Sequence, residues 1–130
     1  MKVIIAGSRG IVDYSFVVAA IEAGIQHLGI TPTEIVSGGA RGVDQLGERF
    51  AREKGIIIKK FIPYWNTLGK KAGMLRNKDM GDYADCLIAL WDGESRGTKQ
   101  MIEYMKSLNK PVCVLECGMG TLGLYFAFGV

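Results

Sequence analysis

Five short runs of β-branched and other apolar residues, at 3–6, 34–36, 56–58, 86–90 and 112–115, alternate with four longer stretches of helical spacing, at 14–28, 43–54, 71–83 and 97–108. That order, strand then helix repeated, admits few folds. The runs show little polar alternation, so each strand must be covered on both faces, which calls for parallel pairing with helices packed on either side. Right-handed crossovers then predict an α/β chain: a single Rossmann-like domain over residues 1–130, with a mainly parallel five-stranded sheet and helices on both faces. The tail at 118–130 is rich in glycine and apolar residues, and its Leu122, Leu124, Phe126 and Phe128 alternate as a sixth, C-terminal strand or an oligomer contact would. A chain of 130 residues buries about two-thirds of its unfolded surface and needs no disulfide or metal staple.

Sheets of this kind bind ligands beyond the carboxyl ends of their strands, where the strand order reverses, so the chemistry is sought in the segments that follow each strand. After the first comes Gly7-Ser8-Arg9-Gly10. Gly7 permits close backbone approach, Ser8 offers a hydroxyl, and Arg9 carries a planar donor fork matched to phosphate, or else is a solvated surface arginine. Asp13 is the expected N-cap of the first helix. After the second strand, Ser37-Gly38-Gly39-Ala40-Arg41-Gly42-Val43-Asp44 places three glycines at a helix start, where successive N–H groups can face one anion. The alternative is a tight turn whose glycines serve geometry alone.

The third strand leads into Pro63-Tyr64-Trp65-Asn66 and Gly69-Lys70-Lys71-Ala72-Gly73-Met74-Leu75-Arg76-Asn77, within a long loop at 61–70. Trp65 either stacks on a base or closes the core beneath the loop, while Lys70, Arg76 and Asn77 suit phosphate or ribose-phosphate oxygens. Met80, one turn beyond Arg76, reads as core. The fourth strand opens into Asp92-Gly93-Glu94-Ser95-Arg96-Gly97-Thr98, a second glycine loop running into a helix, with Gly93, Gly97 and Thr98 as ligand contacts.

Other features narrow the class. The net charge of +3 is too small for a strong sequence-independent DNA surface. Cys86, Cys113 and Cys117 form no metal-ligand spacing with one another or with His27, and read as reduced core thiols; no metal and no cofactor is expected. The Gly118-Met119-Gly120-Thr121-Leu122-Gly123 segment spells a dinucleotide fingerprint but has no room for the helix, second strand and acid that such a site needs. Only a four-residue apolar run follows Lys2, so a cytoplasmic location without membrane contact is expected.

The set Gly7-Ser8-Arg9, Ser37 to Asp44, Trp65, Gly69-Lys70, Ala72-Gly73, Arg76-Asn77, Met80 and Gly97-Thr98 resembles the SLOG superfamily, in particular its small YspA-like members, over residues 3–112. The Ser37 to Asp44 segment is also similar to a loop of DNA-processing protein A, although that family has a histidine where this chain has Glu48. Arg76 with Met80, and Gly97-Thr98, are similar to motifs of the LOG phosphoribohydrolases, which split a nucleoside monophosphate. Their catalytic glutamate falls three residues after the threonine, where this chain has Met101, and Glu103, two residues further, lies about 200° round the helix from that position and faces away. The leading expectation is binding of a nucleotide or nucleotide-derived small molecule through the Gly-rich phosphate loops, as a sensor would bind it. The alternative is a phosphoribohydrolase or N-glycosidase with Arg76 on the phosphate and Asp44 or Glu94 as the catalytic carboxylate. A single-stranded nucleic-acid module using Tyr64, Trp65, Lys70 and Lys71 ranks below both. A homo-oligomer is expected.

Overall fold

The computed structural model describes residues 1–121 and 123–129, and the side chains of all of these except Asn66, Thr67 and Lys70. Leu122, one of the alternating tail positions, therefore lies outside the described residues. The chain runs β1 (Lys2–Gly7), α1 (Tyr14–Leu28), β2 (Glu34–Ser37), α2 (Val43–Lys54), β3 (Ile57–Lys60), α3 (Trp65–Leu68), a 3₁₀ turn (Gly69–Lys71), α4 (Ala72–Tyr83), β4 (Cys86–Trp91), α5 (Arg96–Ser107), β5 (Val112–Gly120) and β6 (Gly123–Phe128). It is the α/β, Rossmann-like arrangement that the alternating pattern predicts.

The sheet order is β3-β2-β1-β4-β5-β6, parallel except for β6. Alternate strand residues feed two cores, because successive side chains point to opposite faces. Val3, Ile5, Ile35, Ile88 and Leu115 pack under α1 and α2 with Val17, Ile21, Val43 and Phe50. Ile4, Val36, Leu87, Ala89 and Val114 pack under α4 and α5 with Met80, Met101, Ile102 and Met105. The three cysteines are free and buried, and loss of hydration pushes the thiols of Cys86 and Cys117 up to about 11.

Capping fixes where the helices begin and end. The Asp13 side chain accepts from the Phe16 N–H at 3.1 Å to start α1, and Gly29 ends it at φ 64°. Two expectations are revised. The third strand does not begin at Ile56: the Ile56 N–H donates to Ala51 O at 2.8 Å as part of the α2 C-cap, and β3 runs on through Lys59 and Lys60 at an exposed edge. The expected loop at 61–70 contains α3 and the start of the 3₁₀ turn.

The sixth strand is present and antiparallel to β5, with Gly120 opposite Gly123 at the turn. Gly118, Met119, Gly120 and Gly123 of the dinucleotide-like spelling thus belong to paired antiparallel strands. Phe126 packs edge-on to Phe16 and Phe128 stacks on His27, fastening β6 to α1. No helix among the described residues is long and apolar enough to cross a membrane.

Candidate functional site

After β1 the chain turns toward α1, and after β4 toward α5 on the opposite face. These two strands are neighbours, with Gly7 opposite Leu90, so the strand order reverses between them. A cleft of about 390 Å³ opens there. Gly7, Ser8 and Arg9 line it from the first loop, Ala40 and Asp44 from the second, Arg76, Asn77 and Met80 from α4, and Asp92, Ser95, Gly97, Thr98 and Met101 from the fourth strand's end and α5.

The walls are tied to each other before any ligand arrives. Gly7 has no room for a Cβ, which would collide with Leu90 O and the Val43 side chain. The Asp92 N–H donates to Ser8 Oγ at 3.1 Å. Asp92 Oδ1 accepts from the N–H groups of Glu94 and Ser95, both at 2.8 Å, closing the turn that delivers Ser95 as the N-cap of α5. Burial alone raises the Asp92 carboxyl, but the N–H groups of Ser95 and Glu94 and the Ser8 hydroxyl outweigh it and hold the group below its usual range. Ser8 therefore lines the cleft with its hydroxyl already engaged.

The second loop differs from its sequence reading. Two of its N–H groups are spent on the loop's own side chains: Gly39 N–H donates to Ser37 Oγ at 3.1 Å and Ala40 N–H to Asp44 Oδ2 at 3.2 Å. Ser37 turns away from the cleft and donates to Glu48 Oε2 at 2.7 Å, while Lys60 pairs with Glu48 Oε1 at 3.0 Å. Glu48 is buried, so this carboxylate is the post on which the loop stands. Glu48→Ala is expected to lower stability by about 2 kcal/mol in urea unfolding, since it leaves the buried Ser37 hydroxyl with only its long 3.4 Å bond to Asp44 O as an acceptor; the half-exposed Lys60 adds little.

Arg76 lies across Gly38. Its guanidinium donates to Gly38 O and, through Nε, to Asn77 Oδ1 at 3.0 Å; Asn77 Nδ2 in turn donates to Gly97 O at 3.2 Å. The pair on α4 thus bridges the β2 and β4 loops. Asp44 flanks Gly38 on the same side, where its Oδ2 and the Arg76 guanidinium both abut the space a Gly38 Cβ would take. Burial pushes the Asp44 carboxyl up to about 6, Glu48 adding to the rise and the Ala40 N–H, Arg76 and the Gly7 N–H opposing it. Burial also lowers Arg76, with Arg9 adding to that and Asp44 opposing it. Arg9 and Arg76 are thus two cations facing one cleft.

Of the residues singled out in the sequence, Gly7, Ser8, Arg9, Asp44, Arg76, Asn77, Gly97 and Thr98 meet around the cleft. Gly38 is the floor beneath Arg76, and Gly39 and Gly42 shape its loop at φ 72° and 78°. Ser37, Arg41, Gly93, Glu94 and Trp65 do not line the cleft; Arg41, Gly93 and Glu94 face solvent, and Trp65 is 51 % exposed with its ring over Gly73. The Lys70 side chain lies outside the described residues. Sequence reading missed Asp92 and Ser95, although an acid at a strand end three residues before a serine that precedes a helix is a capping signal. Glu103 points outward to Lys99 at 3.8 Å, as its helix position requires, and Met101 is buried in the cleft wall.

Two comparisons bear on kinship. A match to the family described as YAcAr, the YspA, cpYpsA-related SLOG family, spans residues 1–67, which contain the first two loops of the site. The Gene 61 protein of Mycobacterium phage D29 is 34% identical over 117 residues, covering 85% of this chain and 93% of the phage protein.

Proposed function

The chain belongs to the YspA, cpYpsA-related SLOG family, a membership that implies a nucleotide-related function in general, and we propose that it binds a nucleotide or nucleotide-derived small molecule as a sensor does, without turnover. The observation that carries this reading is the convergence of Arg9, Arg76 and the first turn of α5 on one cleft at the reversal of strand order. First-turn N–H groups have no partner within their own helix; Ser95 Oγ caps that of Thr98, and at Gly97 no side chain stands over the others, since even a Cβ there would meet nothing within 4 Å. Two guanidinium groups add the planar donors that phosphate oxygens accept.

Binding is favoured over hydrolysis because an apolar side chain, Met101, fills the wall position that the LOG resemblance would give to a catalytic glutamate. Glu94 stands outside the cleft. Calorimetric titration with mononucleotides tests the reading, and no heat with any of them removes it. Arg76→Ala is expected to weaken binding about 100-fold, the effect of losing one charge-assisted bidentate contact, while lowering stability by only about 1 kcal/mol. An unfolded variant would instead make Arg76 a structural brace.

One feature favours hydrolysis as a second reading: the buried Asp44 carboxyl, raised to about 6 beside Arg76, has the tuning of an acid or base working near neutrality. Free base released from a nucleoside monophosphate, and its loss in Asp44→Asn, would establish that reading in place of the first.

The same proposal takes the protein as a homo-oligomer. Residues 117–129 carry no charge, and β6 is an edge strand that leaves Leu124, Tyr125 and Phe128 part-exposed, whereas the opposite edge strand is blunted by Lys59 and Lys60. One open edge and one charged edge allow a closed pair and disfavour a fibre. Sedimentation equilibrium is expected to show a dimer that Leu124→Lys dissociates; a monomeric wild type rules it out.

A further inference from the structure

We propose that the bound molecule extends past Arg76 into a second cleft, where a planar apolar ring system is held between the β3–α3 segment and α4. This rests on the nucleotide reading and adds where, and in what chemical surroundings, the ring lies. The second cleft is also about 390 Å³ and is lined by Phe61, Ile62, Tyr64, Leu68 and Leu75 on its apolar sides, with Arg76 as a wall common to both clefts. Ile62 leans over the glycine loop, its Cδ1 3.5 Å from where a Gly39 Cβ would stand, so the apolar segment abuts the loop beneath Arg76.

The exposure and the charges of its lining point to an occupant. Ile62, Tyr64, Leu68 and Leu75 are 60, 70, 40 and 37 % exposed, a concentration of large apolar side chains at one cleft mouth that folding alone does not reward. Of the charges at the rim, Lys60 pairs with Glu48 and Lys59 lies over the rings of Phe61 and Tyr83 at 5.6 and 5.8 Å, while Asp79 contributes a carboxylate. Among the described residues that line the cleft, Lys59, Lys60 and Arg76 are the cations, and a second phosphate would compete with those partners. An uncharged ring, stacked on Tyr64 and on the flat guanidinium of Arg76, suits the surroundings better. Arg76 would then serve both halves of one ligand, its edge toward the anion and its face toward the ring.

The test is calorimetric titration of the full chain with AMP, GMP, CMP, UMP and ribose 5-phosphate, for the wild type and for the double variant Tyr64→Ser/Leu68→Ser. Both side chains are exposed, and a thermal melt checks that the variant is folded. The expected result is that the nucleotides bind the variant about tenfold more weakly, the effect of losing a stacked base, while ribose 5-phosphate binds both proteins within about twofold. Amide shifts at Ile62 and Leu75 on addition of a nucleotide, absent with ribose 5-phosphate, give a second readout that does not depend on a variant. Nucleotide affinity unchanged in the variant, or nucleotide and ribose 5-phosphate weakened equally, overturns the second cleft and leaves the phosphate reading intact. A wild type that binds none of the five probes overturns both.

Discussion

Replacing Gly42 with alanine is expected to lower folding stability by about 4 kcal/mol. Gly42 is the N-cap of α2 at φ 78°, ψ −127°, a conformation that side-chain-bearing residues scarcely adopt, which costs about 1–3 kcal/mol. The added Cβ would also stand 2.6 Å from the carbonyl oxygens of both Ser8 and Arg9. These are backbone atoms, and they cannot step aside cheaply, because Ser8 N–H is held by Leu90 O at 3.1 Å and Ser8 O accepts from Ile11 N–H at 3.3 Å. Overpacking of this kind adds about 1–3 kcal/mol. Gly97→Ala is the control: it sits in the first turn of α5 with open space where its Cβ would go, and should be neutral or stabilising by up to about 1 kcal/mol. Urea unfolding of both variants decides the matter, and a Gly42→Ala protein within about 1 kcal/mol of wild type would mean that the loops are not wedged together as described.

Gly42 also shows what a sequence does and does not reveal. That the segment after β2 is glycine-rich is plain on reading; that one of its glycines is there to let a different loop pass is a fact of tertiary packing. The fold was legible because periodicity is a local property: apolar runs of strand length alternate with helical spacing, and the order of elements followed. The misreading at Ile56 has a definite cause. Its N–H closes α2 after Gly55 by donating to Ala51 O instead of joining the strand ladder, and the two uses look alike in a short β-branched run. The four-residue helix Trp65–Leu68 is too short to display a period.

The site divides in the same way. Arg9, Arg76, Gly97 and Thr98 could be placed because they follow or face strand ends, and position at a strand end is a topological property that the element order carries. The part played by Ser37 could not. It depends on Glu48, eleven residues on, and on Lys60 from the next strand, whose convergence no spacing rule encodes. Glu48 was visible only as a departure from a resemblance, yet it is the buried carboxylate that holds the loop. Its neighbour in the sequence pattern, Asp44, faces the cleft, and there burial has a measurable consequence.

The stability of the protein should fall as pH rises from about 4 to about 6, and Asp44 is the group responsible. Its carboxyl titrates near 6 when folded against 3.8 in a solvated chain, so between these values the folded state holds a proton that the unfolded state has released. Stability changes with pH in proportion to the protons bound unfolded minus those bound folded, a negative quantity here, so stability declines through this window and levels off above it. The full shift corresponds to about 3 kcal/mol. Other carboxylates act in the opposite sense: Asp92, held below its usual range, confers stability that is lost only as pH falls further. The difference between wild type and Asp44→Asn isolates the Asp44 contribution. The variant should match the wild type near pH 4 and exceed it by about 2 kcal/mol at pH 7, the amide retaining an oxygen for the Ala40 N–H. Arg76→Ala sharpens the test, because Arg76 holds the Asp44 carboxyl down; without it the decline should extend to higher pH. A difference between wild type and Asp44→Asn that stays constant from pH 4 to pH 7 would show that Asp44 is ionised throughout, and would leave the cleft with a fixed negative charge beside its two arginines.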